Sequence, residues 1–254
     1  MTGRERWIEL NRRGLEEFYR RTPPRSGDAK VVEREGVLAA VTPTVPERSV
    51  FNGVVYSDAN ALRDSLDELA GIYEEAGVRA WTVWVPEEDD AAAELLEAAG
   101  HRLDAEPRAM GMELAGFPDP DLEGIDWSVG SDLDEMCLIN DRAYGYADGT
   151  FRASLDDPGH HLHVYLARVD GAPAASVASF DVEGDTPIWC VATLPEARGR
   201  GLSTALMRRA LADARERGSA TTTLQATKLG APVYERLGYM DLGALQMWER
   251  RKAG

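Results

Sequence analysis

Residues 191–204 combine the residue types and the spacing of an anion-binding turn. They read VATLPEARGRGLST, so an apolar run ends at Pro195, two glycines follow at Gly199 and Gly201, and an amphipathic helix begins at once. Glycines let the backbone approach a ligand, and the free N–H groups at a helix N-terminus attract an anion. The pattern therefore predicts a turn that binds a phosphate group.

Two common phosphate-binding motifs are excluded here. A Walker loop requires Gly-Lys-Ser/Thr, which is absent, and a dinucleotide fingerprint requires a third glycine where Thr204 stands. The chain has a formal net charge of −16, yet residues 195–217 carry six basic and three acidic side chains: Arg198, Arg200, Arg208, Arg209, Arg215 and Arg217 against Glu196, Asp213 and Glu216. A plain strand-to-helix connection with a solvated arginine face is the alternative.

This turn and a second motif resemble the GNAT N-acetyltransferases. The family motif Arg/Gln-x-x-Gly-x-Gly/Ala follows a strand and opens a long helix, and residues 198–203 (RGRGLS) fit it except at Ser203, which is small but carries a hydroxyl. The second family motif, a short helix with Tyr just before Leu-Gly-Phe/Tyr, is matched by residues 232–239 (PVYERLGY). The likeness covers residues 125–250. It implies an α/β fold with a mixed, mostly antiparallel sheet flanked by helices.

The resemblance also implies a co-substrate, acetyl-CoA, and the residues that contact it. The backbone N–H groups of residues 199–204 would bind the pyrophosphate, the edge of the strand at 191–193 would pair with the pantetheine amides, and a backbone N–H near Val191 would stabilise the oxyanion. Tyr234 would protonate the departing thiolate, although a packed aromatic side chain is the alternative for it. The implied cofactor-binding residues are Val191, Ala192, Thr193, Arg198, Gly199, Arg200, Gly201, Leu202, Ser203, Thr204, Leu229 and Gly230.

The sequence assigns no general base and no acceptor. A water chain, Asp185, one of the histidines in 160–163, and an acceptor that arrives neutral are all compatible with the pattern. The loop from Tyr144 to Gly159 stands where the family binds its acceptor, and its acidic and aromatic residues suit a cationic amine. An ordinary solvated loop fits the same composition.

The elements that position these residues follow from hydrophobic periodicity and from turn residues. Helices are predicted at 4–20, from the Asp58 cap to Gly77, and at 90–99, 132–144, 199–217 and 231–237. Strands are predicted at 37–41, 50–56, 81–85, 110–114, 125–129, 162–169, 174–182, 187–194, 221–225, 239–241 and 245–248.

The length favours two domains. The stretch 116–124, rich in Pro, Gly and Asp, predicts a boundary, which divides the chain into a domain at 1–117, a linker at 118–124 and a domain at 125–254.

The two halves are predicted to be diverged copies. Residues 72–101 and 213–239 both run helix, Gly, strand, helix, Gly, strand. The first half has no Arg-x-x-Gly-x-Gly in its 51–69 segment, and Leu96 stands where Tyr234 stands in the second. The resemblance therefore implies a tandem GNAT protein with a degenerate first domain and one active site, in the second.

Composition excludes other classes of protein. The strong negative charge disfavours nucleic acid and anionic membranes as partners. Two isolated cysteines, a charged amino terminus and no run of about 18 apolar residues favour a cytoplasmic protein. The histidines at 160, 161 and 163 lack the other ligands of a zinc site, so no metal is expected. The expected oligomeric state is a monomer or a homodimer.

Two functional hypotheses follow. The first is an acyltransferase, an acetyl-CoA-dependent N-acetyltransferase that acts on a primary amine of a small molecule or peptide; an antibiotic or another metabolite is a variant of that acceptor. The second is a non-catalytic acyl-CoA-binding or regulatory module, which the missing base and the degenerate first half favour.

Overall fold

A computed structural model of the chain describes residues 3–22, 28–130, 132–155 and 162–252. The helices in these ranges are α1 (Gly3–Arg21), α2 (Ala59–Glu75), α3 (Asp90–Ala98), α4 (Leu133–Tyr144), α5 (Leu202–Glu216) and α6 (Ala231–Leu237). The strands are β1 (Lys30–Arg34), β2 (Val37–Val41), β3 (Gly53–Tyr56), β4 (Ala80–Pro86), β5 (Arg102–Ala105), β6 (Arg108–Glu113), β7 (Asp126–Gly130), β8 (His163–Val169), β9 (Ala172–Ser179), β10 (Asp185–Thr193), β11 (Thr221–Ala226) and β12 (Met240–Arg251).

All of these strands belong to a single twelve-stranded sheet. Its order is β1-β2-β3-β4-β12-β6-β11-β10-β9-β8-β7, and β5 pairs with β12 outside this path. Only the β3/β4 and β10/β11 pairs among the described strands are parallel. Each connects through one helix, as a parallel pair requires. The predicted fold class, a mixed and mostly antiparallel sheet flanked by helices, is confirmed.

The helices cover both faces of the sheet. Helix α1 contacts β2, β3, β6, β10, β11 and β12 on one face, and α4 packs on β8, β9 and β10 of that same face. Gly14 and Gly111 allow α1 to lie this close, because an added Cβ would fall 2.9 Å from the Pro187 ring and 2.4 Å from the Trp7 ring, respectively. Helices α2, α3, α5 and α6 cover the other face.

The two halves exchange strands. Strand β6 of the first half lies between β11 and β12 of the second half. The final part of β12, from Leu245 onwards, lies in return against β4 and β5 of the first half. The sheet is therefore continuous across the predicted boundary at 118–124, which falls in the connection between β6 and β7.

The repeat predicted from the sequence reappears as a matching order of elements. The series β3-α2-β4-α3 in the first half corresponds to β10-α5-β11-α6 in the second, and each series begins with a parallel pair joined by a helix. Asp58 caps α2 as predicted, since its carboxylate accepts the backbone N–H groups of Asn60 and Ala61.

Several predicted elements are corrected by the structure. The segment 50–56 is a 3-10 turn (Ser49–Phe51) followed by a short strand, because the buried Asn52 side chain accepts the Thr42 N–H and donates to the Val45 carbonyl. The predicted pair of strands at 239–241 and 245–248 is the single strand β12, which bends at Gly243 (φ +106°). Strands β1 and β5 were not predicted; both are short and largely exposed, so they lack an apolar signal.

The buried His101 generates a prediction about stability. Its ring packs edge-on against Trp81, with ring centroids 4.5 Å apart, and neither ring nitrogen has a hydrogen-bond partner among the described residues. Burial first, and the nearby charge of Arg250 second, lower the pKa of His101 from 6.5 to about 4.

His101 binds a proton more readily in the unfolded chain than in the folded one. Its contribution to the free energy of unfolding is therefore complete above about pH 6.5, where the side chain is neutral in both states. That contribution, at most about 3 kcal/mol, is lost as the pH falls towards 4. We expect His101→Phe to flatten the decline in the free energy of unfolding over this window, measured by urea denaturation at pH 7.5, 5.5 and 4.5. An identical decline in both proteins would contradict the assignment.

Candidate functional site

Strands β10 and β11 pair over a short distance and then separate. Their parallel pairing joins residues 185–187 to residues 221–223. Beyond this, β11 continues along β6 and β10 continues along β9, so the facing edges of residues 188–193 and 224–226 are not paired with each other. The result is a wedge-shaped opening in the sheet with one free backbone edge on β10.

A β-bulge interrupts β10 inside this opening. The register with β9 shifts between Trp189 and Ala192, and Cys190 takes a φ of +53°, which is unusual for a residue with a side chain. The Cys190 carbonyl accepts hydrogen bonds from the Ser176 hydroxyl (2.9 Å) and from Asn140 Nδ2 (3.5 Å). The bulge is thus fixed by side chains from β9 and α4.

The glycine turn follows directly after β10. Gly199 and Gly201 have φ angles of +78° and +75°, and a Cβ at either would meet no other atom within 4 Å, so the backbone there is open to a ligand. Helix α5 begins at Leu202 rather than at the predicted 199, because both glycines are left-handed. No side chain caps this helix, and its first intrahelical hydrogen bond runs from the Ala205 N–H to the Gly201 carbonyl. The N–H groups of residues 202–204 therefore lack an intrahelical acceptor.

The positive segment divides into paired and unpaired arginines. Arg209, Arg215 and Arg217 form ion pairs with Asp213, Asp119 and Asp181, respectively. Arg198 donates to the carbonyls of Thr193 and Ala143, whereas Arg200 and Arg208 have no ion-pair partner in the described parts of the chain. The unneutralised charge thus includes Arg200, which stands between the two glycines.

Tyr234 lies on α6 with its ring almost entirely buried. The ring packs against Tyr239, with centroids 5.9 Å apart, and the absence of a side chain at Gly230 leaves room for it. Its hydroxyl has no hydrogen bond to any residue that the structure describes. Burial raises the pKa of Tyr234 above its usual value, so the phenol keeps its proton at neutral pH.

Tyr144 contacts the open part of β10. It ends α4, and its hydroxyl donates to the Val191 carbonyl at 3.4 Å. Residues 191–193 and the glycine turn that follows them therefore lie at the open end of β10, and Tyr234 lies on α6, which follows the separated end of β11. Leu229, which is 90% exposed, and Gly230 lie in the connection from β11 to α6.

Asp185, one of the candidate bases, lies at the closed end of the opening. It is almost fully buried and accepts hydrogen bonds from the hydroxyls of Thr221 (2.7 Å) and Thr223 (2.6 Å). Burial nevertheless raises the pKa of its carboxyl group. The bulge is five residues further along β10. Asp185 therefore stabilises the pairing of β10 with β11 and lies away from the bulge. His163 lies 3.9 Å from Asp181, and His160 and His161 fall outside the described residues.

The loop after α4 contacts the first half of the chain. The guanidinium of Arg48 lies over the ring of Tyr146, 3.1 Å from its centroid, and Phe51 packs edge-on against Phe151 at 4.9 Å. Asp148 forms an ion pair with Arg142, whereas Asp156 and Asp157 fall outside the described residues. One wall beside β10 is therefore built by both halves.

The sequence prediction missed three residues of this site: Asn140, Ser176 and Arg48. Nothing in their local pattern distinguishes them from surface or helix residues, because their role arises from contacts across the fold. The described ranges contain no cluster of three or more potential metal ligands, and no helix there has the length and apolar character to cross a membrane.

Comparison with known families identifies the second half. Residues 131–239, slightly less than half of the chain, match the model of the acetyltransferase (GNAT) family. Residues 131–239 form a GNAT domain. The match contains the bulge, the glycine turn and Tyr234. None of the curated proteins compared with the chain matches its sequence.

Solved structures extend the likeness of fold to the whole chain. A GCN5-related N-acetyltransferase from Kribbella flavida is 18% identical with a TM-score of 0.67, over 100% of this chain and 97% of its own. A tandem GNAT protein from the clavulanic acid biosynthesis pathway is 15% identical with a TM-score of 0.62, over 94% and 88%. A GCN5-related N-acetyltransferase from Sphaerobacter thermophilus is 20% identical with a TM-score of 0.58, over 86% and 82%. At these identities the likeness supports the fold alone. That fold agrees with the tandem GNAT architecture predicted from the sequence.

Proposed function

We propose that this protein is an acetyl-CoA-dependent N-acetyltransferase that acts on a primary amine of a small molecule or peptide. The observation that carries the proposal is the continuity between the opened edge of β10 and the glycine turn that begins α5. The edge offers backbone groups to an extended amide chain, and the turn offers backbone N–H groups to an anion. Acetyl-CoA contains both parts in this order.

The residues of the site fit this co-substrate. The pyrophosphate would contact the N–H groups of residues 199–204, with Arg200 available for further negative charge, and the pantetheine arm would lie along residues 191–193 beside Leu229 and Gly230. Acetyl-CoA supplies an activated acetyl group as a thioester. The Val191 N–H is the proposed donor to the thioester oxygen, where negative charge develops as the amine attacks.

Tyr234 is the proposed general acid. The departing thiolate needs a proton, and the Tyr234 phenol holds one at neutral pH. Its hydroxyl has no hydrogen bond to the described residues, so no competing acceptor there ties up that proton. The C–N bond forms as the C–S bond breaks, the phenolic proton passes to sulfur, and the proton that the amine nitrogen loses restores the phenol.

The first half is proposed to support the site and to carry none of its own. Its α2 N-terminus corresponds to that of α5, but the Asp58 carboxylate already accepts the N–H groups there, and no glycine pair precedes it. We therefore divide the chain into a degenerate domain (1–117), a linker (118–124) and a catalytic domain (125–254). The packing of Arg48 and Phe51 on the loop after α4 makes the first half part of the acceptor wall.

A non-catalytic acyl-CoA-binding module is the second candidate. It is favoured by the absence of an assigned general base, since Asp185 is occupied by two threonines at the closed end of the sheet. Calorimetry with acetyl-CoA and thiol release across a panel of amines separate the two. One molecule bound per chain with turnover of at least one amine supports the enzyme, whereas binding without turnover supports the module. No binding would contradict both.

Substitution of Tyr234 tests the proposed acid. We expect Tyr234→Phe to lower kcat about 100-fold or more while leaving the affinity for acetyl-CoA unchanged, because only the proton on the leaving group is lost. Thiol release and calorimetry measure the two quantities.

Tyr239→Phe is the matched control. It removes a neighbouring buried hydroxyl that is hydrogen-bonded to Thr222 at 2.8 Å. We expect it to reduce the free energy of unfolding by about 1 kcal/mol and to change kcat less than about twofold. An unchanged kcat in Tyr234→Phe would refute the role of the phenol.

A glycine substitution tests the turn. Gly201 and Gly218 lie before and after the same helix, α5, with φ angles of +75° and +98°, and a Cβ added at either would meet no other atom within 4 Å. Alanine at either position forces a left-handed residue, which costs about 1 kcal/mol of stability.

We expect only Gly201→Ala to weaken acetyl-CoA binding, by about tenfold (1.4 kcal/mol), because only that change displaces the N–H groups at the start of α5. Urea denaturation and calorimetry on both variants measure the two effects. Equal affinities in Gly201→Ala and Gly218→Ala would place the pyrophosphate elsewhere.

A further inference from the structure

We propose that Asn140 and Ser176 are positioning residues that aim the Val191 N–H into the opening between β10 and β11. They do so by holding the Cys190 carbonyl towards β9, on the side of β10 opposite to the opening. The inference rests on the proposed function, because it assigns the source of the N–H that acts on the thioester oxygen.

The two side chains form a short chain of hydrogen bonds that ends on the bulge. The two hydrogens of Asn140 Nδ2 serve three acceptors, so one hydrogen is shared: the Met136 carbonyl lies at 2.9 Å, the Ser176 hydroxyl at 3.1 Å and the Cys190 carbonyl at 3.5 Å. The Ser176 hydroxyl donates its own proton to the same Cys190 carbonyl at 2.9 Å. Asn140 is 2% exposed and Ser176 is fully buried. One backbone carbonyl thus has two buried side-chain donors.

The direction of the Val191 N–H follows from the geometry of the peptide. Ser176 belongs to β9, which lies on the side of β10 away from β11. No described peptide bond is cis, so the Cys190–Val191 peptide is trans, and its N–H points opposite to its carbonyl. A carbonyl held towards β9 therefore directs the Val191 N–H away from β9, towards the side where β11 has separated.

A regular strand conformation would not direct the Cys190 carbonyl in this way. Cys190 has a φ of +53°, which costs free energy for any residue with a side chain, and a regular strand would place its carbonyl elsewhere. Removing the two donors takes away the interactions that offset this strain. We expect the peptide then to relax, and the Val191 N–H to leave the opening.

Kinetics of paired variants test the inference. We expect Asn140→Leu and Ser176→Ala to lower kcat about 10- to 100-fold. This decrease is no larger than the decrease in kcat that follows from removing an oxyanion donor altogether. The Kd for acetyl-CoA should change less than about threefold, because the glycine turn is untouched. Ser176→Thr keeps the hydroxyl and should retain kcat.

Asn11→Leu is the matched control. Asn11 is also a buried helical asparagine, 1% exposed; its amide donates to the carbonyls of Trp7 and Met110 and its oxygen accepts from Gln225 Nε2 on β11 at 2.9 Å, so it holds no atom of the β10 bulge. We expect it to lose stability like Asn140→Leu but to keep kcat. Equal kcat values in these two variants, both measured under conditions where they are folded, would overturn the inference.

Glycine at the bulge provides a rescue. Gly adopts a positive φ without strain, so Cys190→Gly in the Asn140→Leu background should recover part of kcat. If kcat is lowered in Asn140→Leu and Cys190→Gly recovers none of it, the loss does not come from relaxation of the bulge, and the inference fails.

A readout that needs no acetyl transfer separates this inference from the proposed function. The backbone amide resonance of Val191 should shift on addition of acetyl-CoA more than on addition of CoA, and this difference should vanish in Asn140→Leu and Ser176→Ala. If the wild type acetylates no amine but shows the difference, the enzyme proposal fails and the positioning role stands. If the variants keep the wild-type difference, or if the wild type shows none, the positioning role fails whatever the activity.

Discussion

The separation of β10 from β11 is the constraint on which the rest of the structure depends. A parallel pair that ends after three residues leaves backbone donors and acceptors without sheet partners in the interior of a large sheet. Strand β11 keeps its pairing with β6 along its whole length, on the side away from β10. Strand β10 likewise keeps only β9, so the facing edges of both strands lack a strand partner, and a ligand with amide groups of its own can pair there.

The exchange of strands between the halves explains why this opening can persist. The strand that completes β11 comes from the first half, and the second half returns the end of β12 to β4 and β5. Helix α1 then crosses the junction and packs on β10 and β11 beneath the closed end of the opening, where Gly14 meets Pro187. The buried Asp185 and its two threonines hold the strands together there. The opening is thus closed at one end by contacts that both halves supply.

Much of this architecture could be predicted from local signals. Short stretches of sequence indicate the Asp58 cap, the helix ends at Gly77 and Gly218 and the apolar stripe of α5, and the structure contains all of these features. The glycine turn was predictable for the same reason, although its left-handed residues delay the helix to Leu202. The strand exchange was not predictable, because β6 and β12 carry ordinary strand patterns whichever half they join.

The bulge lies beyond sequence patterns for a different physical reason. Nothing about Cys190 indicates a positive φ, since Gly or Asn is the usual residue there. Its conformation depends on Asn140 and Ser176, 50 and 14 residues away along the chain. Such a dependence becomes visible only when the hydrogen-bond partners of buried polar groups are traced.

The first half of the chain also supports the loop that follows α4. The loop that follows α4 is held by Thr44, which donates to the Ala153 carbonyl, and by the packing of Phe51 on Phe151. The Phe151 N–H in turn donates to Asp141, the neighbour of Asn140 on α4. The first half therefore supports the helix that fixes the bulge, in addition to supplying β6. A first half without a glycine turn can thus still determine the geometry of the candidate site in the second half, because two supports of that site are built from its residues.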